Sequence, residues 1–152
     1  MKKIIASAVV VIGLMLPTGA MASGMLKVES PYTVTVTLDR LTGVMEAKGI
    51  TIFARIDHAA GAKSIGEEMP PSELMLFGNP KLGTPLMKIN PEVAFDLPLK
   101  ALAWQDGDGK VWLAVTNPAE LNQVYSLAGA NGVIEKMTGA IKAITGKALE
   151  QQ

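Results

Sequence analysis

The chain has 152 residues, 49% hydrophobic and 18% charged, which fits one globular domain. Its 14 basic residues match its 14 acidic ones, and no basic run exceeds two residues, which argues against a nucleic-acid surface built on clustered cations. Cysteine is absent, which excludes disulfides, thiolate nucleophiles, iron–sulfur clusters, cysteine zinc sites and a lipoprotein anchor.

The first segment has three parts. Met1-Lys2-Lys3 is cationic, Ile4 to Leu16 is apolar, and Pro17-Thr18-Gly19 precedes the small-residue pattern Ala20-Met21-Ala22. This is the layout of a cleavable secretory signal over residues 1–22, cut after Ala22. The apolar run is shorter than the ~20 residues a membrane span needs, so no membrane anchor is expected after cleavage. Two lysines and a short apolar core suit bacterial export, so the expected location is the periplasm. Losing Lys2 and Lys3 takes the 14 basic residues to 12 against 14 acidic, a net of −2.

Residues 23–31 read as a loose lead-in. Tyr32 to Thr37 alternates with β-branched residues and predicts a strand, with Thr37 as helix cap. Leu38, Leu41 and Met45 form a helical stripe that Gly49 ends. Ile50 to Ile56 predicts a second strand, with Asp57 as N-cap of a short helix from His58 to Ile65. Met69-Pro70-Pro71-Ser72 is extended, because proline pushes its predecessor out of helical geometry.

Leu74-Met75-Leu76-Phe77 is an unbroken apolar run that suits a strand covered on both faces. Asn79 and Pro80 read as N-cap and first residue of a helix to Ile89, which Gly83 and Pro85 weaken; Pro91 to Phe95 adds a turn. Leu97 to Gln105 and Val111 to Thr116 are two strands joined by Asp106-Gly107-Asp108-Gly109, a hairpin turn. Asn117-Pro118 launches a helix through Leu127, which Asn131-Gly132 breaks. A last helix carries Val133, Met137, Ile141, Ile144 and Ala148 on one face, for docking on the sheet or on a second subunit.

The expected architecture is one compact α+β domain: a sheet of roughly five strands, helices packed on it and one antiparallel hairpin. Residues 32–128 form its core and 129–152 the C-terminal helix.

Several blocks then come together. Phe53-Ala54-Arg55-Ile56-Asp57-His58-Ala59-Ala60-Gly61-Ala62 precedes Pro70-Pro71-Ser72-Glu73-Leu74-Met75-Leu76-Phe77-Gly78-Asn79-Pro80. Gly83-Thr84-Pro85-Leu86-Met87, Asp96-Leu97-Pro98-Leu99 and the hairpin from Trp104 to Trp112 follow. In this order they resemble the bacterial and archaeal family catalogued as domain of unknown function 302, from roughly Thr35 to Pro118. The resemblance implies a compact α+β domain, often a homodimer, with no settled activity.

For chemistry, two helix starts stand out, after Asp57 and after Asn79. If the strands leading to them run parallel, both would aim free amide groups and positive dipole ends into one recess. Lys81 adds a cation, Gly83 permits close backbone approach, and Thr84 lies beside it. Asp57, His58, Asn79, Lys81, Gly83 and Thr84 are therefore the candidate ligand-binding residues, for a small anion such as a carboxylate or phosphate. The bland alternative is a tight Gly78-Asn79-Pro80 turn. A Walker loop is not present, since its Gly-Lys-Ser/Thr is missing.

His58, the one histidine, is the candidate general base if the protein is an enzyme acting on a small organic acid. With Met69 and Met87 it is also the candidate set for Cu(I) or a haem axial position. One histidine without cysteine does not build a typical zinc site, and no cofactor is expected. Asp106 and Asp108 lack the later acidic ligands of an EF-hand, and the adjacent Glu67 and Glu68 read as solvated. The leading expectation is a non-catalytic homodimer that binds a small anionic ligand or a partner.

Overall fold

The structure, a computed structural model, describes residues 24–151. The export segment expected over residues 1–22 lies outside them. The strands are β1 (Met25–Ser30), β2 (Thr51–Asp57), β3 (Ser72–Gly78), β4 (Leu99–Gln105) and β5 (Val111–Thr116). The helices are α1 (Val34–Ala47), α2 (His58–Ser64), α3 (Pro80–Ile89), α4 (Pro118–Tyr125) and α5 (Asn131–Leu149), with a 3-10 turn over Pro91–Asp96. The strands form one sheet in the order β1-β5-β4-β3-β2, and every neighbouring pair is antiparallel. An α+β domain with a five-stranded antiparallel sheet is thus the fold.

One member of the expected strand set is wrong. The loose lead-in contains β1, and the stretch from Tyr32 to Thr37 opens a helix instead. Thr33, not Thr37, is the cap, its Oγ1 accepting from the Val36 amide at 3.3 Å. Val34 extends the Leu38, Leu41, Met45 stripe by one turn, and burying all four outweighs the β preference of alternating Thr and Val. Thr37 sits inside the helix, fully buried, its hydroxyl 2.6 Å from that of Ser30 on β1. The strand period was in Leu26-Lys27-Val28-Glu29-Ser30, short and charged, as suits an edge.

Helix α1 lies over β2 to β5, and α5 packs beside it and against α4. Their apolar faces meet Met75 and Phe77 of β3, Leu99, Ala101 and Ala103 of β4, and Leu113 and Val115 of β5. Arg55 ties the edge of this layer together. It holds Glu73 with two bonds, at 2.5 and 3.0 Å, and reaches Asp39 of α1 at 2.5 Å. These two carboxylates raise the guanidinium's pKa still further, Glu73 first.

The helices cover one face only. On β3, Met75 and Phe77 are buried while Leu74 and Leu76 are half-exposed, so the strand is not covered on both sides. Leu74 pairs with Leu102 and Trp104 with Trp112 on the uncovered face. The Lys27 ammonium stands 4.0 Å from the Trp112 ring and 4.9 Å from that of Trp104. The break before α5 lies at Ser126 and Gly129, both at positive φ, rather than at Asn131-Gly132, which form the first turn of the helix.

Candidate functional site

The register of β2 and β3 separates the two expected corners. Gly78, beside Asn79, pairs with Thr51 at one end, whereas Asp57 pairs with Glu73 at the other. Six residues of extended chain put the corners roughly 20 Å apart. The common recess does not exist, because β2 and β3 are antiparallel.

At the Asn79 corner the amides are also spoken for. Asn79 Oδ1 accepts from the Lys81 amide at 2.9 Å. The Leu82 and Gly83 amides donate to the Asn79 carbonyl at 2.9 and 3.0 Å, and Pro80 has no N–H. At the other corner Asp57 Oδ1 accepts from the Ala60 amide at 2.9 Å. Each cap is therefore confirmed, and confirming it consumes donors that an anion would have used. His58 is exposed, and no side-chain hydrogen bond reaches its ring among the described residues. Met69 precedes β3 at that same end, while Met87 lies on α3 at the other, so the three soft-metal candidates are not brought together. Among the described residues no three His, Asp or Glu side chains cluster as a metal site.

A cavity of about 280 Å³ lies at the Asn79 corner. Phe77 and Gly78 end β3 at its floor. Leu82, Gly83, Thr84 and Met87 of α3 form one wall; Met137, Ala140, Ile141 and Ile144 of α5 form another. Leu97 and Pro98, just before β4, and Phe53, the residue at the bulge in β2, close the sides. At Gly78 an added Cβ would stand 3.2 Å from the Phe53 ring and 3.7 Å from Pro98, so the exposed ring would have to give by a few tenths of an ångström. At Gly83 an added Cβ would meet Leu97 and Met87 at 3.6 and 4.0 Å, ordinary contact, so a side chain there grows toward the cavity walls.

The wall near Leu97 is held from behind. Tyr125 of α4 donates its hydroxyl to Asp96 at 2.6 Å, and Asn90 donates its amide to the Tyr125 carbonyl at 2.9 Å. The bond to Asp96 pushes the Tyr125 phenol above its usual pKa. Both ends of the 3-10 turn are thereby fixed on α4.

Of the six candidate residues, Asn79, Gly83 and Thr84 line this cavity. Lys81 is exposed and does not; Asp57 and His58 sit at the far corner. No charged side chain is in the lining. The walls that sequence reasoning missed come from α5, whose apolar stripe was legible but whose partner was not. A second groove, larger at about 720 Å³, runs between α1 and α5, past Gly43 and Ala143. Its end is occupied by Arg40, which donates to the Ala148 and Glu150 carbonyls at 2.6 and 2.7 Å and so caps α5.

A family model described as domain of unknown function DUF302 matches residues 26–144. A relative in Brucella suis, named fluoride-specific ion channel FluC 1, is 46% identical over 114 residues, covering 75% of this chain and 45% of the relative. One in Brucella melitensis, named fluoride-specific ion channel FluC 2, matches at 46% identity over 75% of this chain and 42% of its own length. The chain thus spans less than half the length of these relatives. No helix among the described residues is long and apolar enough to cross a membrane. A crystal structure of an uncharacterized conserved DUF302 protein from Bacillus stearothermophilus shares the fold, with a TM-score of 0.75 and 16% identity, covering 84% of this chain and 99% of that one.

Proposed function

We propose that this chain, which belongs to the family described as domain of unknown function DUF302, is a binding module that takes up a small molecule in the cavity between α3 and α5. The observation that carries the reading is the cavity itself, walled by apolar side chains and bordered by two polar ones, Asn79 and Thr84. Largely apolar pockets with a few placed polar groups are where small ligands bind. The proposal moves the ligand from the anion first expected to an apolar body, because the helix-start amides are already bonded.

The reading is non-catalytic: the one histidine lies at the opposite end of β2 from the cavity. Two further expectations travel with it. The export pattern of residues 1–22 supports action in the periplasm. The uncovered sheet face, with Leu74, Leu76, Leu102, Trp104 and Trp112 half-exposed on it, supports a second copy as partner.

Native mass spectrometry of the protein recovered from periplasm tests all three. The expected result is a chain starting at Ser23, in pairs, carrying a retained small molecule. Gly83→Leu, which fills the cavity, is expected to lose that molecule. Retention of the same molecule by the filled variant would refute the cavity as its site.

A further inference from the structure

We propose that the ligand is an uncharged, medium-length aliphatic chain bearing one hydrogen-bond-accepting head, such as a ketone, ester or alcohol. This rests on the cavity reading above and names the chemical class of its occupant.

Charge is decided first. No Asp, Glu, Lys, Arg or His lines the cavity. The α3 amides that would greet an anion are bonded to Asn79. An ionised carboxylate or ammonium entering here would lose its water with no counter-charge to replace it, a large penalty. The head is decided next. Asn79 uses its Oδ1 as a cap, but no hydrogen bond among the described residues occupies its Nδ2. Thr84, exposed elsewhere on the lining, has no side-chain bond among the described residues either. Either donor suits an acceptor oxygen on an otherwise apolar body.

Size and shape follow. A 150 Å³ apolar cavity is known to take benzene, with six heavy atoms. By that ratio 280 Å³ takes roughly eleven heavy atoms, a chain of about eight to ten carbons and its head. Met87 and Met137 share the wall with Leu82, Leu97 and Ile141; flexible thioethers mould to a chain more readily than to a fixed ring.

Three probes of similar size separate the claims: 2-nonanone, octanoate and acetophenone. They are titrated into the mature chain, with binding read from backbone amide shifts. We expect 2-nonanone to bind, with shifts confined to α3, α5 and the Phe77–Gly78 corner, equally at pH 7 and pH 4. Octanoate should bind at least tenfold more weakly at pH 7, and approach the ketone only as pH falls through the ordinary carboxyl range near ~4–5. Acetophenone should bind at least fivefold more weakly than the chain. Thr84→Val, at the exposed mouth, should weaken 2-nonanone several-fold without altering the remaining spectrum. Octanoate binding as tightly as the ketone at pH 7 would overturn the charge claim and leave the cavity standing. Acetophenone winning would overturn the chain. Shifts from none of the probes at the cavity residues would overturn this inference and the cavity reading together.

Discussion

Asn79 performs two jobs that one pair of substitutions can separate. Its Oδ1 caps α3 at 2.9 Å from the Lys81 amide, while its Nδ2 has no partner among the described residues. Asn79→Ala removes both groups. The lost cap costs about 1 kcal/mol of folding stability. Asn79→Asp keeps the capping oxygen and places a negative charge at the helix start, worth about 0.3–1 kcal/mol in favour of the fold. The donor, however, becomes a second acceptor, facing whatever carbonyl the cavity holds. The alanine variant should therefore lose stability and about tenfold in 2-nonanone affinity, the equivalent of ~1.4 kcal/mol. The aspartate variant should match or exceed the parent in stability and lose more than tenfold in affinity. Urea unfolding and amide-shift titration measure the two quantities on the same samples. If Asn79→Asp bound the ketone as tightly as the parent, Asn79 would be a cap and nothing else. If it fell in stability as far as alanine, the capping argument itself would be wrong.

Thr37→Val should cost about 1 kcal/mol in urea unfolding, because it removes the 2.6 Å bond to the buried Ser30 hydroxyl and leaves that hydroxyl with the Tyr32 amide alone, at 3.2 Å; Thr33→Ala should cost about 1 kcal/mol as a lost cap, and no loss at Thr33 would contradict the helix start described above. In the β4–β5 hairpin, Asp106 accepts from the Trp112 indole at 2.7 Å, and that bond holds its carboxyl below the usual carboxylate range. Its stabilisation is accordingly complete above the ordinary aspartate value of about 3.9 and is lost as pH falls through the depressed one. Protection of the Trp112 indole proton, taken relative to the intrinsic exchange rate at each pH, should thus fall only below pH ~4, and Asp106→Asn should be less protected than the parent at pH 6 with little further change in protection on acidification. A Leu102→Glu chain should sediment as a monomer where the parent sediments as a dimer, since the substitution puts a charge in the middle of the uncovered sheet face; a monomeric parent at micromolar concentration would remove the self-association proposal.

Much of the fold could be read from local chemistry. Asp57, Asn79 and Asn117 each announced a helix, and each caps one. Asp106 to Gly109 announced the hairpin and turns it. Where local signals competed, the reading failed. Thr33 to Thr37 carries a strand-like alternation and also a helical apolar spacing through Val34 and Leu38, and only burial against the sheet decides between them. The cavity was legible in part because Asn79, Gly83 and Thr84 share a helix with it. Its opposite wall belongs to α5, more than fifty residues further along the chain, and no local pattern says where that stripe will dock.

The larger error was the assumption of parallel strands, and the sequence held evidence against it. A parallel neighbour requires a crossover of a dozen or more residues, usually a helix packed back onto the sheet. The stretch between β2 and β3 is long enough for one, but its helix is His58-Ala59-Ala60-Gly61-Ala62-Lys63-Ser64. That segment has no large apolar side chain to bury, and none of its residues is buried. A helix with nothing to place against the sheet does not make a crossover; it makes a wide turn between antiparallel strands. Once β2 and β3 are antiparallel, Asp57 and Asn79 must stand at opposite ends of the pair, and an anion site shared between them is excluded by topology before any side chain is considered. The Asn79 corner then has as neighbours what lies at the far end of the sheet, Leu97 and Phe53 among them, together with the apolar stripe of α5. The same antiparallel register that dissolves the charged recess therefore brings an uncharged cavity together, and it does so at three of the six residues that composition and spacing had singled out.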